Sequence, residues 1–318
     1  MRSLMQPNKP ISALDVTVII PAYDAADTIS RALQSIANQT FLPREVIVVD
    51  DGSNDNTAGQ AEAFKPKIKG CALTVLRQSN AGPGAARNHA ISVAASKWIA
   101  FLDADDEWLP RKLEKTFAAI EQSKEEPAII AHDVTVIDKK KEVIYNCAKH
   151  HSGTGDPFHA MYRRGYVSTS TALVQRTAVI EVGGFDINLP NAQDFDLWLA
   201  ILSNSKNQIL VFPGAYTRHH NRPGSVQTHT LRRLQCSETV ARRYFFVLGI
   251  RSGSALASLI FRTIVIHFEA LITFRKSRKW FSMFYCAIRL PTGLIQVLFS
   301  AIGQKQYTRI DNLGQKLT

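Results

Sequence analysis

Residues 16–53 read VTVIIPAYDAADTISRALQSIANQTFLPREVIVVDDGS, and the fold follows from how that stretch alternates. Residues 16–20 form a short, unbroken apolar run rich in β-branched side chains, as expected of a strand buried on both faces. Pro21 ends it. Ile29, Ala32, Leu33 and Ile36 then recur at helical spacing, with Asp27 or Thr28 placed to cap a helix running to Asn38. Residues 46–49 (VIVV) make a second buried strand, which delivers the chain into Asp50-Asp51-Gly52-Ser53. Outward from this unit the pattern repeats. A helix is expected over 57–64, a strand at 73–76, a helix opening near Gly84, and a strand at 98–102 that ends in Asp103-Ala104-Asp105-Asp106. Such alternation predicts an α/β fold, a mostly parallel sheet with helices on both faces. Ligands of such sheets sit outside the carboxyl ends of the strands. Both acidic clusters lie at such ends.

Beyond a helix over 113–121 the pattern loosens. Strands are expected at 128–136 and 142–145, around a Lys139-Lys140-Lys141 turn, and at 168–174. Helices follow at 176–182 and 194–202, with Gly183-Gly184 breaking the chain between them. A strand at 209–212 leads into a loop carrying Tyr216-Thr217-Arg218-His219-His220. From about Leu231 apolar stretches are interrupted by arginines. The chain thus divides into a polar lead-in over 1–14, the α/β domain over 15–228, and a basic, apolar helical region over 229–318.

A chain of 318 residues with 45% hydrophobic and 20% charged side chains can bury a core, which excludes a disordered protein, a collagen-like fibre and a small disulfide scaffold. Cys71, Cys147, Cys236 and Cys286 contain no CxxC pair, so four reduced, mostly buried thiols are expected rather than a zinc site. No apolar segment follows the polar start, so no signal peptide is expected. The net charge of +11 is uneven: from Arg218 onward there are 16 Lys+Arg against three acids. That asymmetry suggests an anionic partner, nucleic acid or a membrane surface. The apolar stretches 255–274 and 283–302 are interrupted by Arg262, His267 and Glu269, and by Arg289 and Pro291, so a spanning helix is not expected. Between them Arg275-Lys276-Ser277-Arg278-Lys279-Trp280-Phe281 suits an interfacial helix on anionic lipid. A helical subdomain with a solvated basic face is the plainer alternative.

The motifs have bland readings too. Asp50-Asp51 is good turn chemistry, or a pair of acceptors for a base imide or a ribose. Asp103, Asp105 and Asp106 repel one another unless a cation or exposure relieves them, and oxygen ligands suit Mn²⁺ or Mg²⁺ bridging to phosphates. An acidic cap before Trp108 is their alternative. Asn80-Ala81-Gly82-Pro83-Gly84-Ala85-Ala86-Arg87-Asn88 contains GxG, but Arg87 stands where a dinucleotide fingerprint needs its third glycine. A turn opening a helix, with Arg87 meeting phosphate, fits better. Asp194 is a helix cap or a general base beside the Gly183-Gly184-Phe185-Asp186 turn. Of His219 and His220, at most one is expected to be a ligand.

In their order these segments resemble the inverting family 2 glycosyltransferases of GT-A fold, in particular those that build bacterial exopolysaccharide and surface polysaccharide. The resemblance covers VIIPAYDAADTISRALQSIANQTFLPREVIVVDDGSNDNT, NAGPGAARNHAI, FLDADDEWLPRKLE, GGFD and QDFDLWLAI, roughly residues 16–225. It implies that Pro21, Tyr23 and Asp24 line a nucleotide pocket, that Asp51 accepts the uracil imide N–H beside Asp50, and that Arg87 and Asn88 sit near base and phosphates. It places Asp103 toward the ribose and Asp105 on Mn²⁺ (or Mg²⁺), with His220 as the late histidine near metal or diphosphate. It makes Asp194 the catalytic base, with Asp196 in reserve, and puts Gly184, Phe185, Asp186 and Trp198 on the acceptor side. Gln193-Asp194 departs from the family's usual Glu-Asp.

The implied activity is metal-dependent transfer of a sugar, with inversion, from a nucleotide-sugar (a UDP-sugar by resemblance) to a hydroxyl of a glycan or lipid-linked oligosaccharide. A lipid-linked acceptor would place the protein in the cytoplasm, peripheral at the inner face of the membrane, with no nucleic-acid partner. No Gln-x-x-Arg-Trp segment is present, so a processive synthase is not expected. Two alternatives are a nucleotidyltransferase, which needs a Gly-rich loop that residues 21–28 do not provide, and a non-catalytic nucleic-acid binder using the basic tail.

Overall fold

The computed structural model describes residues 14–138, 141–151, 155–220, 230–252 and 255–303. The first four strands, β1 (Leu14–Ala22), β2 (Pro43–Asp50), β3 (Ala72–Arg77) and β4 (Trp98–Phe101), pair in parallel in the order β3-β2-β1-β4. Helices α1 (Ala26–Ala37), α2 (Thr57–Glu62) and α3 (Pro83–Val93) connect them. The central side chains divide by the two-residue period of a strand. Val16, Val18, Ile20, Val46 and Val48 pack in one cluster with Ile29, Leu33 and Ile36 of α1. Ile19, Ile47, Val49, Ile99 and Phe101 pack in another with Ala86 and Ala90 of α3. The unbroken apolar runs are therefore strands covered on both faces.

Two local expectations change here. β1 runs through Pro21 to Ala22, because β4 leaves the ladder at Ile19↔Phe101 while β2 pairs on to Asp50. With a neighbour on one side only, the strand tolerates a residue lacking an N–H. Neither Asp27 nor Thr28 caps α1; Ala25 holds the cap position. The orphan N–H groups of Ala25 and Ala26 instead donate to Thr57 Oγ1 at 2.8 Å and Asp55 Oδ2 at 3.0 Å, from the loop after β2.

Then come β5 (Glu107–Trp108), α4 (Lys112–Glu121), β6 (Ile129–Asp138), β7 (Lys141–Tyr145), α5 (Cys147–His151), α6 (Pro157–Arg164), β8 (Leu173–Gln175), α7 (Arg176–Glu181), α8 (Gln193–Ser203) and β9 (Ile209–His220). They extend the sheet as β4-β8-β6-β9-β5, with β7 on β6. Strand β8 is antiparallel to β4 and β6, and β5 to β9, while β6 and β9 are parallel. The sheet is mixed rather than mostly parallel, since the strict β-α alternation that forces parallel pairing stops at β4. The strand expected over 168–174 is a 3₁₀ turn at Thr169–Thr171 followed by the short β8. Strand β9 does not stop at Phe212 but carries Tyr216 to His220 within the sheet.

The C-terminal region is helical, as expected: α9 (Thr230–Arg243), α10 (Phe245–Ser252), α11 (Ala255–Lys276) and α12 (Trp280–Gly303). Cys236, Val240, Ala241 and Tyr244 join Phe185, Phe195 and Trp198 in one core cluster, so these helices share the interior of the α/β domain. The division expected near residue 228 and the lead-in before Leu14 lie outside the described residues. Helix α11 is long and apolar enough, by length and composition, to cross a membrane. Its interrupting Arg262 and His267 are buried against the rest of the protein. All four cysteines are free thiols.

Candidate active site

At the carboxyl end of β2, Asp51 Oδ1 accepts from Gln78 Nε2 at 2.8 Å and Ala81 N at 2.9 Å, and Oδ2 from Gly82 N at 2.8 Å. Three of roughly four lone pairs of the carboxylate are thus used, leaving one for a ligand. Asp50 Oδ1 accepts from Ser53 N at 3.1 Å. Gly52 turns the chain at φ +75°, where a Cβ would lie 2.8 Å from Asn80 N. Asp24, at φ 44°, accepts from Asn54 N at 2.8 Å and donates its own N–H to Ser53 Oγ. Beside it Tyr23 stands exposed just past Pro21.

Arg87 is buried, pairs through Nη2 with Asp103 Oδ1 at 2.6 Å and lies over the Phe185 ring. Asn88 departs from its expected place. Its Nδ2 donates to Phe185 O at 2.8 Å and its Oδ1 accepts from Phe185 N at 2.7 Å, so the amide tethers the 183–186 turn to α3 instead of facing a nucleotide. Gly184 is required there, at φ +73° with a Cβ position 2.4 Å from Asn88 Oδ1.

In the acidic turn, Asp106 is fully buried and accepts from Ser170 Oγ at 2.5 Å, His219 Nδ1 at 3.1 Å and His220 N at 3.2 Å. Asp105 is half-buried; burial, then the charges of Asp103 and Asp106, push its carboxyl up to about 6. Arg31 of α1 pins the turn by donating to the Asp105 carbonyl at 2.5 Å. Burial works to lower His219, but its hydrogen bond to Asp106 and the neighbouring carboxylates lift it to about 9. It is thus the His219 side chain, not that of His220, which bonds the acidic turn. His220 points to Glu107 at 3.6 Å, and burial together with Arg31 lowers it. Its Nε2 is buried without a hydrogen-bond partner among the described residues.

On the other side, Asp194 is half-buried at the start of α8, where Oδ2 accepts from Thr169 Oγ1 at 2.9 Å and Oδ1 from Phe195 N at 2.8 Å. Asp196, the reserve candidate, is fully buried and held by Arg243 Nη1 at 2.7 Å, which leaves it unsuited to meet a substrate. Gln193 is buried against Gly84 and donates through Nε2 to Leu189 O at 2.5 Å, a bond that a carboxylate at this position would lack the proton to make. Phe185 and Trp198 correct the sequence reading. Both are buried and pack on Phe101, with ring centroids at 5.3 and 6.1 Å, so they belong to the core and are not placed to touch an acceptor. Asp186 pairs with Arg243 Nη2 at 2.8 Å.

The halves meet at two adjacent hydroxyls. Thr169 holds Asp194, and Ser170 holds Asp106 while accepting from Asp103 N at 3.1 Å. Neither hydroxyl, nor Arg31 or Arg243, was identified from the sequence, and of the two adjacent histidines the resemblance had pointed to His220 rather than His219. Among the described residues no three His, Cys, Asp or Glu side chains gather to hold a metal ion by themselves. The donors nevertheless fit a hard cation shared with a diphosphate. A carboxyl crowded by like charges and a buried imidazole nitrogen are donors of the kind that such a cation takes alongside diphosphate oxygens.

The mixed sheet with its covering helices has a GT-A-like fold. Among solved structures, TarS 1-349 from S. aureus in complex with UDP-GlcNAc has a TM-score of 0.63 at 21% identity, covering 80% of this chain and 72% of that one. The mannosyltransferase PcManGT of Pyrobaculum calidifontis, in complex with GDP-Man and Mn²⁺, has a TM-score of 0.56 at 19% identity over 88% of this chain and 87% of that one. A family model described as "Glycosyl transferase family 2" matches residues 17–182, more than half of the chain, and the protein belongs to that family. Escherichia coli WfaP, named UDP-Glc:alpha-D-GlcNAc-diphosphoundecaprenol beta-1,3-glucosyltransferase, is 28% identical over 270 residues, 83% of this chain and 98% of that protein. Several other curated relatives are longer proteins, of which the matched segments make up 27%, 28% and 35%.

Proposed function

We propose that this protein is an inverting, metal-dependent glycosyltransferase that moves a sugar from a UDP-sugar to a hydroxyl of a lipid-linked glycan in polysaccharide biosynthesis. The observation that carries the reading is the Thr169–Ser170 pair, which fixes the carboxylate of Asp194 relative to the acidic turn. Donor and acceptor sites of a single-displacement transferase need that fixed relation, because attack must come from the face opposite the leaving diphosphate.

Tyr23 offers an exposed ring for a base to stack on, and the unused lone pair of Asp51 accepts the imide N–H of uracil. Asp103, aligned by Arg87, faces the ribose. Asp105 and His220 Nε2 would hold Mn²⁺ or Mg²⁺. The bound ion supplies Lewis-acid neutralisation of the charge that develops on the departing diphosphate. Asp194, oriented by the Thr169 hydroxyl, takes the proton of the acceptor hydroxyl as its oxygen attacks the anomeric carbon. A positioned base of this kind contributes about 10²–10⁴-fold in rate. One displacement inverts the anomeric centre, so an α-linked donor gives a β-linked product.

A lipid-linked acceptor, such as the one in the name of WfaP, calls for a route to the membrane. Phe268, Phe281, Phe284 and Ile288 project from α11 and α12 into solvent, with Phe281 94% exposed, close in sequence to Arg275, Lys276, Arg278 and Lys279. Aromatic side chains beside cations suit peripheral attachment to anionic lipid at the cytoplasmic face.

The deciding experiment is UDP release from a panel of nucleotide-sugars, UDP-glucose first, with GlcNAc-diphosphoundecaprenol as acceptor, in Mn²⁺ and in EDTA. Release that requires the acceptor and vanishes in EDTA and in Asp105→Ala is expected. Absence of Mn²⁺-dependent UDP binding by the intact protein would overturn the reading.

A further inference from the structure

Arg243 ends α9, outside the segment matched by the family, yet it reaches the acceptor side of the site. Its two terminal nitrogens go to different segments: Nη1 to Asp196 Oδ1 at 2.7 Å in the first turn of α8, and Nη2 to Asp186 Oδ2 at 2.8 Å in the 183–186 turn. The next residue adds to the same grip, since Tyr244 donates its hydroxyl to Asp196 O at 2.9 Å and Oδ1 at 3.2 Å. Asp196 is fully buried, and a buried carboxylate needs such a partner. A planar guanidinium that bridges two carboxylates fixes their separation as well as their charge.

The geometry points to Arg243 as a positioning residue for the acceptor side, an inference that rests on Asp194 being the base. Asp194 and Asp196 are two apart on one helical turn and so face different ways, the first toward Thr169, the second toward α9. The turn that presents Asp194 is therefore held from both sides. The 183–186 turn is held likewise, by Asn88 from α3 and by Arg243 from α9. With the guanidinium removed, the turn stays tied to α3 but loses its spacing from α8, and the acceptor hydroxyl no longer meets Asp194 in line. The acceptor half of the site is complete only with the C-terminal helices docked; among the described residues the ion pairs of Arg243 go to Asp186 and Asp196.

The test compares intact wild-type protein with Arg243→Met by amide hydrogen exchange and by Mn²⁺-dependent UDP binding. Faster exchange confined to 183–197, unchanged UDP affinity, and recovery of protection with added ethylguanidinium are expected. In turnover with the UDP-sugar that the wild type uses, the variant is expected to lose about 10²-fold in acceptor kcat/KM, the scale of a 1 Å misplacement, with donor KM unchanged. Should Arg243→Met fail to fold, Arg243→Lys, which keeps the charge but cannot span both carboxylates, takes its place. Exchange at 183–197 equal to wild type, or faster exchange throughout the chain without guanidinium recovery, would overturn the proposal. Failure of the wild type to bind UDP would instead strike the proposed function.

Discussion

Asp194 and Asp196 share one helical turn, yet only Asp194 is half-exposed, while Asp196 is sealed behind Arg243 and Tyr244. Asp194→Asn is expected to bind UDP normally in calorimetry and to transfer about 10²–10⁴-fold more slowly. Normal turnover by that variant would remove Asp194 from its role. Gln193→Glu is expected to lower stability by about 1–3 kcal/mol, read as a fall in Tm, because a carboxylate would face the Leu189 carbonyl with no proton to donate. The aspartates stood out in the sequence by their places at strand ends and a helix start, although turn and cap chemistry accounts for such places as well. Their partners were not. Thr169, Ser170 and Arg243 act across 25, 64 and 47 residues of chain, and no local pattern announces such a bond.

At the scale of elements, the apolar runs of β1, β2 and β4 were readable because burial on both faces leaves a continuous signature. Strand β9 hid its second half, since Thr217, His219 and His220 serve the site and give the stretch a loop's composition. Residues 168–174 misled in the opposite direction, where a Ser/Thr-rich run resembling a strand folds as a turn so that its hydroxyls reach two carboxylates. Helix α4 carries a different tension. Lys112 is fully buried, its ammonium 3.8 Å from the Trp108 ring centroid and without a hydrogen-bond partner among the described residues. Burial pushes it down to about 7 from an ordinary value of 10.5. Between those values the unfolded chain binds more protons than the folded one, so this residue makes stability rise with pH from about 7 upward. Lys112→Met is expected to raise Tm at pH 7 and to flatten that slope in melts taken between neutral and alkaline pH.

At the scale of the molecule, the asymmetry of charge suggested a separate C-terminal region, but composition could not reveal that its helices share the core of the α/β domain. Val240, Ala241, Tyr244, Leu248 and Leu259 pack in the cluster that holds Trp198. A chain ending at residue 228 is therefore expected to be insoluble or to melt without a cooperative transition, checked by scanning calorimetry. Phe281→Asp with Phe284→Asp lies at the other extreme. Both side chains are exposed, so Tm should hold while cosedimentation with anionic vesicles falls; undiminished binding would count against the membrane face. The borrowed cap of α1 bears on how such a molecule assembles. The first helix cannot seal its N-terminus until Asp55 and Thr57 have arrived from beyond β2. On a ribosome, the opening turn of that helix stays unfinished until the second strand has emerged and docked. β1, α1 and β2 are thus expected to form together, with Thr57→Val slowing refolding as well as speeding unfolding in stopped-flow measurements.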